Sequence, residues 1–167
     1  MFMSFLINFE KLVGFLNSIS SKVSATLLFL MMILTFSDVT GRFLWRPVTG
    51  TYELTYLWLA LIVFLSLGYT QQKKGHISVG VFIDKLSVRA QAVVDGITYI
   101  IILVLLVLMA WQTYSYANQV SSSVTGDLKL PVSIFVLVCA VGILFYALTV
   151  IVDFLKAVRK VVHPNES

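Results

Sequence analysis

Charged residues punctuate the chain so that four long stretches carry none: residues 23–37, 54–72, 96–126 and 130–152. Leu, Val, Ile, Phe and Ala dominate each stretch. A helix of about 20 mostly apolar residues crosses a bilayer core. The spacing therefore predicts an all-α integral membrane protein with four transmembrane helices. The first span is expected over 23–45, stopped by Pro47, whose ring removes a backbone donor and clashes with the preceding turn. A short turn (46–51) leads to a second span over 52–71. A loop (72–92) precedes the third span, 93–116. Residues 117–130 are polar, with three consecutive serines (Ser121, Ser122, Ser123), Gly126 and Asp127, and read as a loop. Pro131 suits the first position of a helix, so the fourth span runs over 131–153, and a basic tail (154–167) follows.

Residues 1–22 are apolar but interrupted by Glu10 and Lys11. Phe5, Leu6, Phe9, Leu12, Val13, Leu16 and Ile19 recur at helical period, with Asn8, Lys11, Ser18 and Lys22 on the other side. The pattern predicts an amphipathic helix lying in the membrane interface; the alternative is an extension of the first span. A signal peptide would place its basic residues ahead of an unbroken apolar centre. In the second loop, Val79, Phe82, Ile83 and Leu86 repeat the amphipathic pattern and predict a second, short interfacial helix.

Composition narrows the function. Hydrophobic residues make up 59% of the chain and charged residues 12%, whereas soluble domains carry roughly a quarter charged residues. A soluble enzyme, a nucleic-acid binder and a disordered chain are excluded. Cys139 is the single cysteine, so a thiol oxidase working through cysteine pairs is excluded. The two histidines, His76 and His163, lie outside the apolar stretches, which excludes a cytochrome with axial histidines inside its helices. No nucleophile–base pair, metal-ligand set or phosphate loop is present. The sequence therefore predicts no enzyme activity and no cofactor.

Lysine and arginine set the expected orientation. With the N-terminus inside, nine of the 12 basic residues (Lys11, Lys22, Lys73, Lys74, Lys85, Arg89, Lys156, Arg159 and Lys160) face the cytoplasm. Arg42, Arg46 and Lys129 face outward. Both termini are predicted to be cytoplasmic. Lys73, Lys74 and Arg89 are candidates for anionic lipid headgroups.

Charge inside a membrane helix is costly and marks candidate chemistry. Asp38 and Arg42 are four apart and share a helix face; they either satisfy each other or contact a partner helix. Glu53 sits in the first turn of the second span, where the helix dipole favours a carboxylate; it could also pair with Arg46 across the turn. His76 either caps the preceding helix or bonds a neighbouring subunit. Cys139, Ala140 and Gly142 form a small-residue surface that admits a closely docked helix, from this chain or another.

The run Gly41-Arg42-Phe43, then Pro47, Glu53, Gly68 and Lys74-Gly75-His76-Ile77, resembles the small membrane subunit of tripartite ATP-independent periplasmic (TRAP) transporters, the DctQ-like family. These motifs cover residues 41–79; size and span count extend the resemblance over the whole chain. The resemblance implies a scaffold subunit in the bacterial inner membrane. Its partners would be a large multi-span subunit that moves substrate by a sodium-driven elevator motion and a periplasmic solute-binding protein. The substrate would be an organic acid of C4-dicarboxylate or sialic-acid type. Asp38, Arg42, Glu53, His76, Cys139 and Gly142 become candidates for the large-subunit interface. Trp45, Arg46, Thr49, Asp127 and Lys129 become candidates for contact with the binding protein. Two other readings compete: a small multidrug exporter working as a homodimer through Asp38, and a membrane assembly factor.

Overall fold

The computed structural model describes residues 2–73 and 88–162, with side chains for 7–73, 90, 91 and 93–159. Four helices account for nearly all of it: α1 (Phe2–Leu44), α2 (Thr51–Gln72), α3 (Val88–Gln119) and α4 (Val132–Val162). Each contains a segment long and apolar enough to cross a membrane: Ile7–Leu44, Thr51–Gln72, Val93–Gln119 and Val132–Arg159. The chain is a multi-pass membrane protein. The helices alternate in direction. The α1–α2 turn and the α3–α4 loop meet at one end, here the hairpin end. Residues near the two termini meet at the other, the terminal end.

The segments expected over 1–22 and 23–45 form one continuous helix. No proline interrupts it before Pro47. Its N-terminal half lies against the bundle through Val13, Asn17, Ser20 and Ser24, all buried, while Leu12, Phe15 and Ile19 point outward. The inward face is thus the more polar one. Lipid solvates apolar side chains as well as a protein core does, so polar groups that need partners turn inward. The Asn17 amide donates to the Thr149 hydroxyl of α4 (2.8 Å), and the Ser20 hydroxyl donates to the Leu65 carbonyl of α2 (2.7 Å). Ser24 and Thr26 bond to carbonyls one turn back in their own helix.

Helix α4 is the hub. It packs against the other three helices, and α3 docks chiefly on it. One buried cluster joins Leu61 and Leu65 of α2 to Cys139 of α4; another joins Leu106 of α3 to Ile143 and Val150 of α4. Two glycines bring α2 and α4 into backbone contact. A Cβ on Gly142 would lie 2.5 Å from the Phe64 carbonyl oxygen, and one on Gly68 would lie 3.3 Å from the Phe145 carbonyl carbon. Gly68 also lies directly under the Asn17 side-chain oxygen. That oxygen has no hydrogen-bond partner, and its close approach to Gly68 fits a weak Cα–H contact. The three helices α1, α2 and α4 therefore share one crossing point, which only small residues on α2 and α4 permit.

Cys139 and Gly142, expected at the large-subunit interface, lie at the α2–α4 contact of this chain. Their small size serves the chain's own helix packing. His76, Lys74 and the expected short helix around Val79–Leu86 lie outside the described residues, as does the Arg89 side chain.

Candidate functional site

A connected set of polar contacts sits at the hairpin end. It grows from two acids, one in the final turns of α1 and one in the first turn of α2. Asp38 is buried. Its Oδ2 accepts the Arg42 Nε–H at 2.8 Å, and its Oδ1 accepts the Val48 backbone N–H at 2.9 Å. One carboxylate thus ties the end of α1 to the turn that follows it. The Arg42 guanidinium also lies over the Tyr52 ring of α2, 5.2 Å from its centroid, a cation–π contact across the same hairpin. Thr51 opens α2 and donates to the Val48 carbonyl (2.9 Å). Gly50 precedes it at φ 80°, in the left-handed region, with the Leu128 side chain packed directly over it.

Glu53 does for the second loop what Asp38 does for the first turn. Its Oε1 accepts the Asp127 N–H at 2.6 Å and its Oε2 accepts the Leu128 N–H at 2.9 Å. The loop around these amides is itself closed. Thr125 N–H donates to the Leu130 carbonyl, Leu130 N–H donates to the Thr125 hydroxyl, and Val124 bridges to Pro131. Lys129 takes a left-handed conformation, φ 57°, to complete the turn. A charged acceptor on two backbone donors makes short, strong bonds, and the α2 dipole favours the carboxylate further.

Among the described residues Glu53 forms no ion pair with Arg46, so the expected Arg46–Glu53 pairing is corrected. Both carboxylate oxygens already face the loop amides. The Asp38–Arg42 pair forms within α1. The Val48 amide and the 125–130 loop amides are the partners that sequence reasoning missed. Backbone N–H groups carry no residue signature, so no motif announces them.

The remaining candidates are scattered. Trp45, Arg46, Thr49, Asp127 and Lys129 are all exposed at the hairpin end, Trp45 at 88% of its surface. Lys73 lies at the other end of α2, its ammonium over the Tyr69 ring. Two polar links also hold the terminal end: the Lys156 ammonium donates to Glu10 (2.5 Å), and the Gln71 amide donates to Asp153 (2.9 Å).

The hairpin lies within a stretch of the chain that matches a family model. Residues 31–160 match the model for tripartite ATP-independent periplasmic transporters, DctQ component. The chain belongs to this family. No curated protein matches it. The match to the DctQ component spans Asp38, Arg42, Glu53 and the loop that Glu53 holds. It begins inside α1, so Glu10, Asn17 and Ser20 precede it. As a DctQ component the chain is part of a transporter, not of an enzyme family, and membership implies association with other TRAP components.

Proposed function

We propose that this DctQ-family chain is the fixed scaffold subunit of a sodium-coupled, binding-protein-dependent importer of an organic acid, of C4-dicarboxylate or sialic-acid type. It braces a large elevator-type membrane subunit and holds no substrate of its own. It sits in the bacterial inner membrane with both termini in the cytoplasm. The hairpin end then faces the periplasm, where Trp45, Arg46, Thr49, Asp127 and Lys129 meet the solute-binding protein.

The observation that carries this reading is the state of Asp38 and Glu53. Each carboxylate is bonded through both oxygens to donors of the same chain. Intramembrane acids of a pump or exporter exchange protons or substrate; these two are engaged in holding turns. The midplane segments of the four spans carry no acidic residue, and transporter substrate sites usually lie at the midplane on broken helices. Both points disfavour an exporter working through Asp38. Membrane vesicles containing this chain alone are expected to take up no organic acid. Vesicles containing it with the large subunit and the binding protein are expected to do so under a sodium gradient. Uptake by the chain alone contradicts the proposal.

A further inference from the structure

Helix α1 carries one charge that its own chain does not answer. Lys22 is exposed, and its ammonium takes no part in the ion pairs formed among the described residues. The inward face of α1 fixes its level. Ser20 bonds to the Leu65 carbonyl of α2, and Leu27 packs against Leu61, Leu65 and Cys139. Lys22 therefore stands opposite the middle of α2, which runs from Thr51 to Gln72. At 1.5 Å per residue, about 13 Å of helix separates that level from Gln72, and about 18 Å separates it from Thr51.

The surface around Lys22 is apolar in both directions. Leu12, Phe15 and Ile19 are exposed on the side of the terminal end, and Leu28, Phe29 and Met32 on the side of the hairpin end. The exposed apolar run thus continues for about three helical turns beyond Lys22 toward the terminal end. A four-carbon stem lets a lysine reach along about one turn, ~5 Å, which falls well short of Gln72. Lys22, expected among the basic residues that face the cytoplasm, stands inside the span instead. The other basic residues of the terminal end still outnumber Arg42, Arg46 and Lys129. An ammonium in such surroundings is costly and is normally paired.

Two sources of the missing anion fail on position. Headgroup phosphates lie beyond the reach of the stem. A second copy of this chain brings no acid to that depth. Asp38, Glu53 and Asp127 stand at the hairpin end, and Glu10, Asp95 and Asp153 at the terminal end. Asp84 and Glu166 fall outside the uncharged stretches. The anion has to come from a different polypeptide that itself enters the membrane. The surface suits a helix, because a shallow groove of about 310 Å³ beside Lys22, lined by Ile19, Val23, Thr26 and Leu27, can take a ridge of side chains from a crossing helix.

We propose that the large membrane subunit docks on this outward face of α1 and supplies a carboxylate, from one of its transmembrane helices, to the Lys22 ammonium. The inference rests on the scaffold reading for the existence of that subunit, and adds the face on which it docks and the charge that answers Lys22. The contact lies away from Asp38 and Glu53, whose carboxylates are taken up within the chain.

The test uses the two membrane subunits co-expressed and extracted in mild detergent. A photo-crosslinking residue is placed at Thr26 of α1 or, on a control face, at Leu108 of α3, both exposed, with Lys22 unaltered. Thr26 is expected to cross-link to the large subunit, and Leu108 is not. Lys22→Glu is expected to lower recovery of the large subunit about tenfold or more, because it sets two carboxylates together away from water. Lys22→Arg is expected to keep it. Lysine in place of the large-subunit acid nearest the cross-link is expected to restore recovery with Lys22→Glu. Cross-links from Thr26 that reach only lipid or a second copy, or undiminished recovery with Lys22→Glu, would overturn the inference. The scaffold reading stands in either case as long as the large subunit co-purifies with the unaltered chain. Failure of the unaltered subunits to co-purify would overturn that reading and this inference together. The cross-links from the chain with Lys22 in place decide the docking face even where a Lys22 variant fails to fold.

Discussion

The Glu53 carboxylate receives the backbone N–H groups of Asp127 (2.6 Å) and Leu128 (2.9 Å), across 74 and 75 residues of sequence. This relation joins the start of α2 to the loop between α3 and α4. The hairpin end therefore holds together as a unit, and the exposed residues around it are carried on a braced surface.

Glu53→Gln is expected to loosen that surface. The amide keeps one acceptor and turns an N–H₂ group toward a donor it cannot satisfy. Hydrogen exchange at Asp127 and Leu128 is expected to rise about tenfold, with helix content unchanged. Unchanged exchange at both amides would show that the loop is held by its own Thr125–Leu130 and Val124–Pro131 contacts.

Asp38 serves two partners, and its variants should separate them. Asp38→Ala removes the acceptor for both the Arg42 side chain and the Val48 amide. Arg42→Ala removes only the first. Thermal melts in detergent are therefore expected to rank Asp38→Ala below Arg42→Ala. The reverse order would mean that Arg42 acts mainly through the Tyr52 ring.

The α1–α2–α4 crossing offers a test of packing. Gly142→Ala places a methyl 2.5 Å from the Phe64 carbonyl oxygen, and backbone cannot move aside cheaply. A destabilisation of about 1–3 kcal/mol is expected, the usual range for overpacking. Asn17→Ala loses one buried hydrogen bond to Thr149, which within membranes averages only about 0.6 kcal/mol. It also frees the space over Gly68. Gly68→Ala is therefore expected to be better tolerated in an Asn17→Ala background, as residues sharing a contact couple. Strict additivity by unfolding measurements would remove the shared crossing from the account.

Orientation can be read with a single thiol. Cys139 is buried and is the only cysteine, so it contributes little background to an impermeant maleimide. Ser122→Cys, in the exposed α3–α4 loop, is expected to label from the periplasmic side of intact cells. Labelling only after the membrane is opened would invert the proposed topology.

Much of the fold was legible because charge is excluded from lipid. The uncharged stretches mark where the four helices cross. The continuity of α1 is harder to see, because an apolar stripe turned to lipid suits both a helix lying in the membrane interface and an extension of the first span. Here Leu12, Phe15 and Ile19 face outward, and Asn17, Ser20 and Ser24 mark the inside. Their spacing was the available signal, since three small polar residues on one helix face need partners. Cys139 and Gly142 lie where α2 of the same chain docks on α4, and sequence does not say which helix arrives. At the hairpin end the acids were visible and their partners were not, because those partners are backbone amides.

The scaffold claim is tested most directly by reconstituting uptake. Sealed vesicles with a sodium gradient would carry this chain alone, the large subunit with its binding protein, or all three. The account predicts uptake only when all three are present, and no uptake by this chain alone. Organic-acid accumulation in vesicles whose sole protein is this chain would contradict it.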